Sequence, residues 1–248
     1  MRYSVCTDSV FGGKDTAESI KKCADAGFDA VEFWSWKNKD MEKIIEASKR
    51  HNVEIAVFCA SECNLVDASL RGAFLDGLGQ SVEAAKKAGT RKLIAVTGND
   101  TGEPREAQRE SIVAGLKEAA PMLEASGVEL LLEPLNTLYE RPGYFLDHSA
   151  EGFEIVREVG SPNVTLLFDI YHLQYMEGNI INNIRGGIDL IGHFHTAGVP
   201  GRTELDKGEL DYRFILGEIR KLNYEGFIGM EYIPTEPPEK WLAAWRRV

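Results

Sequence analysis

Short apolar runs alternate along this chain with longer stretches in which apolar residues recur every three to four positions. Eight runs read as strands: 3–7, 30–33, 54–59, 92–97, 129–134, 165–170, 191–196 and 227–232. Each is a brief cluster of apolar and β-branched residues bounded by polar turns. Between them, 15–26, 41–51, 70–88, 105–125, 149–159, 212–222 and 239–247 carry the amphipathic period of helices. Gly27, Gly89, Gly127 and Gly226 stand where helices should stop before the next strand, because glycine accepts the left-handed backbone of a helix C-terminus.

This rhythm predicts βα units around a parallel sheet. An open doubly wound sheet would place a glycine-rich phosphate loop after its first strand. Here that strand runs into Asp8-Ser9-Val10-Phe11-Gly12-Gly13-Lys14, which lacks such a fingerprint. Eight units in 248 residues fit one closed (β/α)8 TIM barrel spanning 1–248 as a single domain.

Barrel enzymes assemble their sites at the C-terminal ends of the strands. The last four strands end in ionisable residues: Glu133 in LLLEPLN, Asp169 in TLLFDIYH, His195 in GHFHTAG and Glu231 in IGMEYIP. A lone carboxylate at a strand end is usually a helix cap or an ion-pair partner. Three around one barrel mouth repel one another and are costly to bury, and a divalent cation removes both costs. Mixed carboxylate and imidazole donors suit one Mn²⁺, Mg²⁺, Co²⁺ or Zn²⁺ ion. His193 shares the facing of His195 and is an alternative ligand. His172 falls in the turn after the sixth strand, as a substrate hydrogen-bonder or a plain helix-start residue. Arg202, in PGRTE, is a candidate clamp for a substrate anion. Trp34 and Trp36 either wall the pocket or pack. Glu32 and Cys59 also end strands, with nothing further to mark them; His51 and His148 read as structural.

These residues sit in segments that resemble the hydroxypyruvate isomerase family, within the xylose-isomerase-like barrels. The matching segments are AGFDAVEFW, KLIAVTGN, LLLEPLNT with PGYFL, FDIYHLQYMEGN, GHFHTAGVPGRTELDKGELDY and GFIGMEY. The resemblance implies that Glu133 and Glu231 are both metal ligands and the acid/base pair, with Asp169 a further ligand. It places Arg202 on the family arginine of the PGR segment, followed by Glu204. His195 falls where the family often has glutamine and related sugar epimerases have histidine. The residues Leu138-Tyr139-Glu140 before RPGYFL are unusual for the family. The implied reaction is isomerisation of hydroxypyruvate, or a related 2-oxo acid, through an enediolate.

Three rivals share the barrel. A ketose 3-epimerase uses the same metal and glutamates, but usually has Arg and Glu after the EPLN-like segment, where this chain has Thr137 and Leu138. An apurinic-site endonuclease needs a three-metal cluster with histidines on earlier strands; this chain has five histidines, none at the end of the third or fourth strand. A barrel that binds sugar without catalysis is the non-enzyme alternative.

Composition narrows the partners. Hydrophobic residues make up 44% and charged residues 27%, as in a globular chain with a sizeable core. The net charge of -11 opposes binding to nucleic acid, and no run approaches the ~20 apolar residues of a membrane span. The four cysteines lack disulfide or zinc-finger spacing, and the N-terminus lacks a secretory signal, which together point to the cytoplasm. The expected partner is a small molecule, with a homo-oligomer as the assembly open to the chain.

Overall fold

The structure, a computed structural model, describes residues 1–245. Strand β1 (Arg2–Cys6) leads through a single helical turn, α1 (Thr7–Val10), into α2 (Thr16–Asp25). Then follow β2 (Ala30–Ser35), α3 (Met41–His51), β3 (Glu54–Cys59), α4 (Arg71–Ala88), β4 (Lys92–Ala95), α5 (Arg105–Ser126) and β5 (Glu129–Leu132). The second half runs through α6 (Ser149–Val159), β6 (Val164–Asp169), α7 (Ile170–Met176), α8 (Ile180–Gly187), β7 (Ile191–Thr196), α9 (Tyr212–Lys221), β8 (Phe227–Met230) and α10 (Pro238–Trp245). Neighbouring strands pair in chain order, all parallel, and β1 closes on β8 with Arg2–Val5 in register with Phe227–Met230. The closed (β/α)8 barrel is the expected one. No helix among the described residues is long and apolar enough to cross a membrane.

Local chemistry sets the element ends. Asp15, Asp40 and Asp211 accept the backbone N–H groups of Glu18, Lys43 and Phe214 at 3.0–3.1 Å, capping α2, α3 and α9. Gly89 and Gly127 take the left-handed conformation at the ends of α4 and α5, with φ of 73° and 67°. Gly226 does not serve this purpose: α9 stops earlier, and Asn223 supplies the positive φ of 57°. The helix expected over 239–247 is α10, and residues 246 and 247 lie outside the described residues. The short helices α1 and α8 were not foreseen, and α7 only as one of the two readings of His172. Too brief to show a helical period, α7 also follows β6 without a break.

The barrel interior is divided. Val57, Ile94, Leu131 and Leu167, one each from β3 to β6, form an apolar cluster of their own. Across from them, β1, β2, β7 and β8 supply Ser4, Glu32, His193 and Gly229. Glu32 accepts hydrogen bonds there from Ser4 Oγ at 2.7 Å and shares one with His193 Nε2 at 3.0 Å. Side chains two apart in a strand share a face. The next inward positions above Leu131, Leu167, His193 and Gly229 are therefore Glu133, Asp169, His195 and Glu231, at the barrel mouth. The ladders of β5 and β8 end just before the two glutamates, short of the expected 134 and 232. Glu133 and Glu231 still donate their backbone N–H to Ala95 and Thr196 at 3.1 and 3.0 Å, but Pro134 has no N–H to continue.

Gly229 is tightly packed directly beneath the mouth. A Cβ there would lie 2.7 Å from His195 Cδ2 and collide with Glu32 Oε1. Gly229→Ala is expected to cost about 1–3 kcal/mol of stability by overpacking, read from urea unfolding; an unchanged midpoint would show that the interior has slack at this level.

Candidate active site

The barrel mouth gathers the four strand-end residues into one group. One ligand atom from each of Glu133, Asp169, His195 and Glu231 lies within 4.8 Å of the others, and all four residues are buried. His195 Nδ1 is the hub, 3.0 Å from Glu231 Oε2, 3.5 Å from Glu133 Oε1 and 4.0 Å from Asp169 Oδ2. None of these contacts has hydrogen-bond geometry, so the nitrogen points between the carboxylates and not along any one of them.

Burial and mutual repulsion act differently on the three acids. Burial, reinforced by Glu231 and Asp169, raises the Glu133 carboxyl despite the His195 imidazole. Burial lifts Asp169 to about 6, against the pull of Arg202 and His195. Burial also pushes on Glu231, but Arg202 and His195 outweigh it and hold this carboxyl well below its usual range. For His195 burial is overcome by Glu231 and Glu32, which raise it well above the ordinary imidazole value. Without another cation, a proton on His195 is what balances the cluster.

That donor set fits a divalent ion. Both ring nitrogens of the buried His195 lack a hydrogen-bond partner, and Nδ1 faces the gap between three carboxylates. An ion in that gap would replace the proton and take Nδ1 as a ligand. Nε2, on the other side of the ring, lies 3.1 Å from Glu32 Oε1. A carboxylate behind a ligand imidazole fixes its orientation and raises its basicity. His193 belongs to this lower layer, against Glu32, and is not part of the four-residue group at the mouth.

The flanking residues are held just as firmly. Asp169 is the N-cap of α7, its Oδ1 accepting the N–H of Tyr171 at 2.8 Å and of His172 at 3.3 Å. His172 therefore sits in the first turn of a helix rather than in a loop. The backbone N–H of Asn136 donates to His172 Nδ1 at 3.1 Å, which leaves the proton of the neutral ring on Nε2, 3.5 Å from Asp169 Oδ2. Burial and Arg202 bring His172 down to about 4, so the ring is neutral at pH 7.

Arg202 has the left-handed backbone, φ 56°, uncommon outside glycine. Its carbonyl accepts the Ile233 N–H at 2.6 Å, which locks that turn to the chain beyond β8. The guanidinium donates from Nε to the Glu231 carbonyl at 3.1 Å, from Nη2 to Glu231 Oε2 at 2.5 Å and from Nη1 to Glu140 Oε2 at 2.6 Å. The other oxygen of Glu231 accepts the indole N–H of Trp34. Glu204, by contrast, faces away from the site and binds Thr235 and the backbone of Glu236.

Above the cluster is a cavity of ≈ 200 Å³, lined by Trp34, Cys59, Glu133, Arg141, His172, His195, Arg202 and Glu231 among others. That is below the few hundred Å³ of a drug-sized pocket and suits a molecule of a few carbon atoms. A larger groove of ≈ 630 Å³ between α3 and α4 is mainly apolar and far from this chemistry. Trp36 lines that groove and hydrogen-bonds Ser81 Oγ at 3.2 Å, so of the two tryptophans only Trp34 walls the site. His51 closes α3, and His148 precedes α6 with its ring on Asp147. The cysteines are free thiols, with burial raising Cys59 and Cys63 above the normal thiol range, Cys63 to about 12.

A family model described as xylose isomerase-like TIM barrel matches residues 20–247. The chain belongs to that family. Among curated members, the family relative hydroxypyruvate isomerase of Escherichia coli is 30% identical over 99% of this chain and 100% of its own. A 2-oxo-tetronate isomerase of Cupriavidus necator is 37% identical over 65% of this chain and 62% of its own. Among solved structures of the family's barrel, one described as AP endonuclease, family 2, from Brucella melitensis superposes with a TM-score of 0.94 at 29% identity, covering 100% of this chain and 99% of that one.

Glu32, Asn136, Glu140 and Arg141 are the site neighbours that sequence reasoning passed over. Glu32 had a usable signal: a carboxylate inside the apolar run AVEFW needs a buried partner, and two histidines two apart on β7 offer one. Removing one member of a buried charged network strands the others. Glu32→Ala is expected to lower stability by about 3–5 kcal/mol in denaturant unfolding, with Glu32→Gln milder. A loss for Glu32→Ala below about 1 kcal/mol would mean that the histidines do not depend on this carboxylate.

Proposed function

We propose that this chain is a metal-dependent isomerase of a small hydroxy-carbonyl acid, with hydroxypyruvate or a short 2-oxo sugar acid as substrate. The observation that carries the reading is the unpartnered His195 Nδ1 aimed between Glu133, Asp169 and Glu231 at the floor of a small cavity. The curated relatives that act on hydroxypyruvate and 2-oxo-tetronate support the substrate class. Glu133, Asp169, His195 and Glu231 would hold one divalent ion, which as a Lewis acid polarises the carbonyl and acidifies the neighbouring C–H.

The two glutamates leave β5 and β8 on opposite sides of the mouth, so a substrate between them is reached by both. One removes the proton from C3 of hydroxypyruvate, giving an enediolate shared between C2 and C3. A proton returned to C2, with the hydroxyl proton passing from the C3 oxygen to the C2 oxygen, yields tartronate semialdehyde. Trp34 and Arg202 fix both oxygens of Glu231, holding it in place for that exchange. His172 lines the cavity with its proton on Nε2, which makes it a donor available to a substrate oxygen.

A ketose 3-epimerase is the second reading, favoured by the same His172 donor and by histidine at 195. Both reactions exchange a carbon-bound proton, but at different carbons. A phosphodiester substrate fits poorly: the net charge is -11, and four acidic side chains crowd the mouth.

Glu133→Gln and Glu231→Gln are each expected to reduce turnover of hydroxypyruvate at least about 100-fold, the usual worth of a general acid or base. NMR in deuterated water should show deuterium entering at C2 of the product. Turnover within about tenfold of wild type in either variant would rule out a two-glutamate mechanism. Exchange at C3 of a free ketose, with none in hydroxypyruvate, would replace isomerase by epimerase.

A further inference from the structure

The arginine expected to clamp the substrate anion is already engaged. Nε, Nη1 and Nη2 of Arg202 all donate, to the Glu231 carbonyl, Glu140 and the Glu231 carboxylate respectively. The guanidinium also stacks over Tyr171, 5.1 Å from the ring centroid. Only one N–H on each of Nη1 and Nη2 is left over, and both nitrogens are already held against Glu140 and Glu231. An anion entering this cavity also meets Glu133 and Glu231, so it needs a cation that those carboxylates have not claimed.

The segment after β5 supplies one. Asn136 is fully buried and folds the following residues back over the mouth: its Oδ1 accepts the N–H of Tyr139 at 3.1 Å and of Glu140 at 3.3 Å, and its carbonyl accepts the N–H of Arg141 at 3.1 Å. Its side-chain nitrogen contacts His172 Nδ1 at 2.7 Å. Glu140 then pins the turn, one oxygen accepting from Arg202 at 2.6 Å and the other from the Tyr171 hydroxyl at 2.5 Å. The next residue, Arg141, is exposed and lines the cavity, and among the described residues its guanidinium forms no ion pair or hydrogen bond.

We infer that Arg141 is the anchor for the anionic group of the substrate, while Arg202 is a positioning residue that holds Glu231 and Glu140. This rests on the proposed 2-oxo acid substrate and adds how the acid is told from a neutral sugar. The adjacent Glu140 and Arg141 divide the work: the glutamate fastens the loop, and the arginine at the cavity is left for the ligand. The planar fork of an arginine matches a carboxylate in two parallel hydrogen bonds, so lysine would replace its charge but not its geometry.

The test uses metal-loaded wild type, Arg141→Ala and Arg141→Lys, with hydroxypyruvate, its neutral counterpart dihydroxyacetone, and the unreactive anion glycerate. Arg141→Ala is expected to raise KM for hydroxypyruvate and weaken glycerate binding by calorimetry at least about tenfold, with kcat within about threefold. Arg141→Lys should recover part of both, and KM for dihydroxyacetone should not follow. Hydroxypyruvate KM and glycerate affinity both within about twofold of wild type in Arg141→Ala would overturn the assignment. If wild type turns over no 2-oxo acid, the proposed function fails instead. Glycerate binding then decides on Arg141 alone: affinity lost with the arginine upholds the anchor, and affinity retained removes it.

Discussion

Three carboxylates are buried against one imidazole at the mouth of this barrel, and much of the surrounding structure exists to make that tolerable. Unscreened by water, such a group is strongly unfavourable unless positive charge is brought to it. The protein brings it from two directions. Arg202 approaches from the loop after β7 and lies within 3.8 Å of Asp169 and 2.5 Å of Glu231. His195 rises from the barrel floor with Glu32 behind it. What these leave uncompensated is the gap that His195 Nδ1 faces, where a divalent ion would sit.

The division of the barrel interior follows from this. The half lined by Val57, Ile94, Leu131 and Leu167 is ordinary apolar packing. The other half gives up that packing for Ser4, Glu32 and His193, a polar layer whose groups bond one another. Gly229 leaves the space in which Glu32 and His195 meet. The floor of the site is thus a second polar layer, placed one strand repeat below the first.

The fold and the four residues at the mouth were legible in the sequence because both rest on local pattern. Eight apolar runs with a helical period between them leave few architectures, and a charged residue closing each of the last four runs has one place to point. What escaped depends on contacts far apart in the chain. Glu32 in its apolar run calls for a buried partner, but nothing local says that His193 and His195, 161 and 163 positions further on, supply it. Nothing near Arg202 shows that all three of its nitrogens are held by Glu140 and Glu231, while Arg141 stays uncommitted. The brief α7 was hidden for a different reason: its apolar residues continue those of β6, and only the Asp169 side chain, bonding two N–H groups of the next turn, marks the change.

Titrating Mn²⁺ into chelator-treated protein by calorimetry tests the central claim most directly, because it asks about the cluster and not about any substrate. One saturable site per chain is expected, with release of protons as His195 gives up its own, and affinity reduced by at least about 100-fold in His195→Ala and Asp169→Asn. Wild-type protein that binds no Mn²⁺, Co²⁺ or Zn²⁺, or binds as tightly once His195 and Asp169 are replaced, would contradict it.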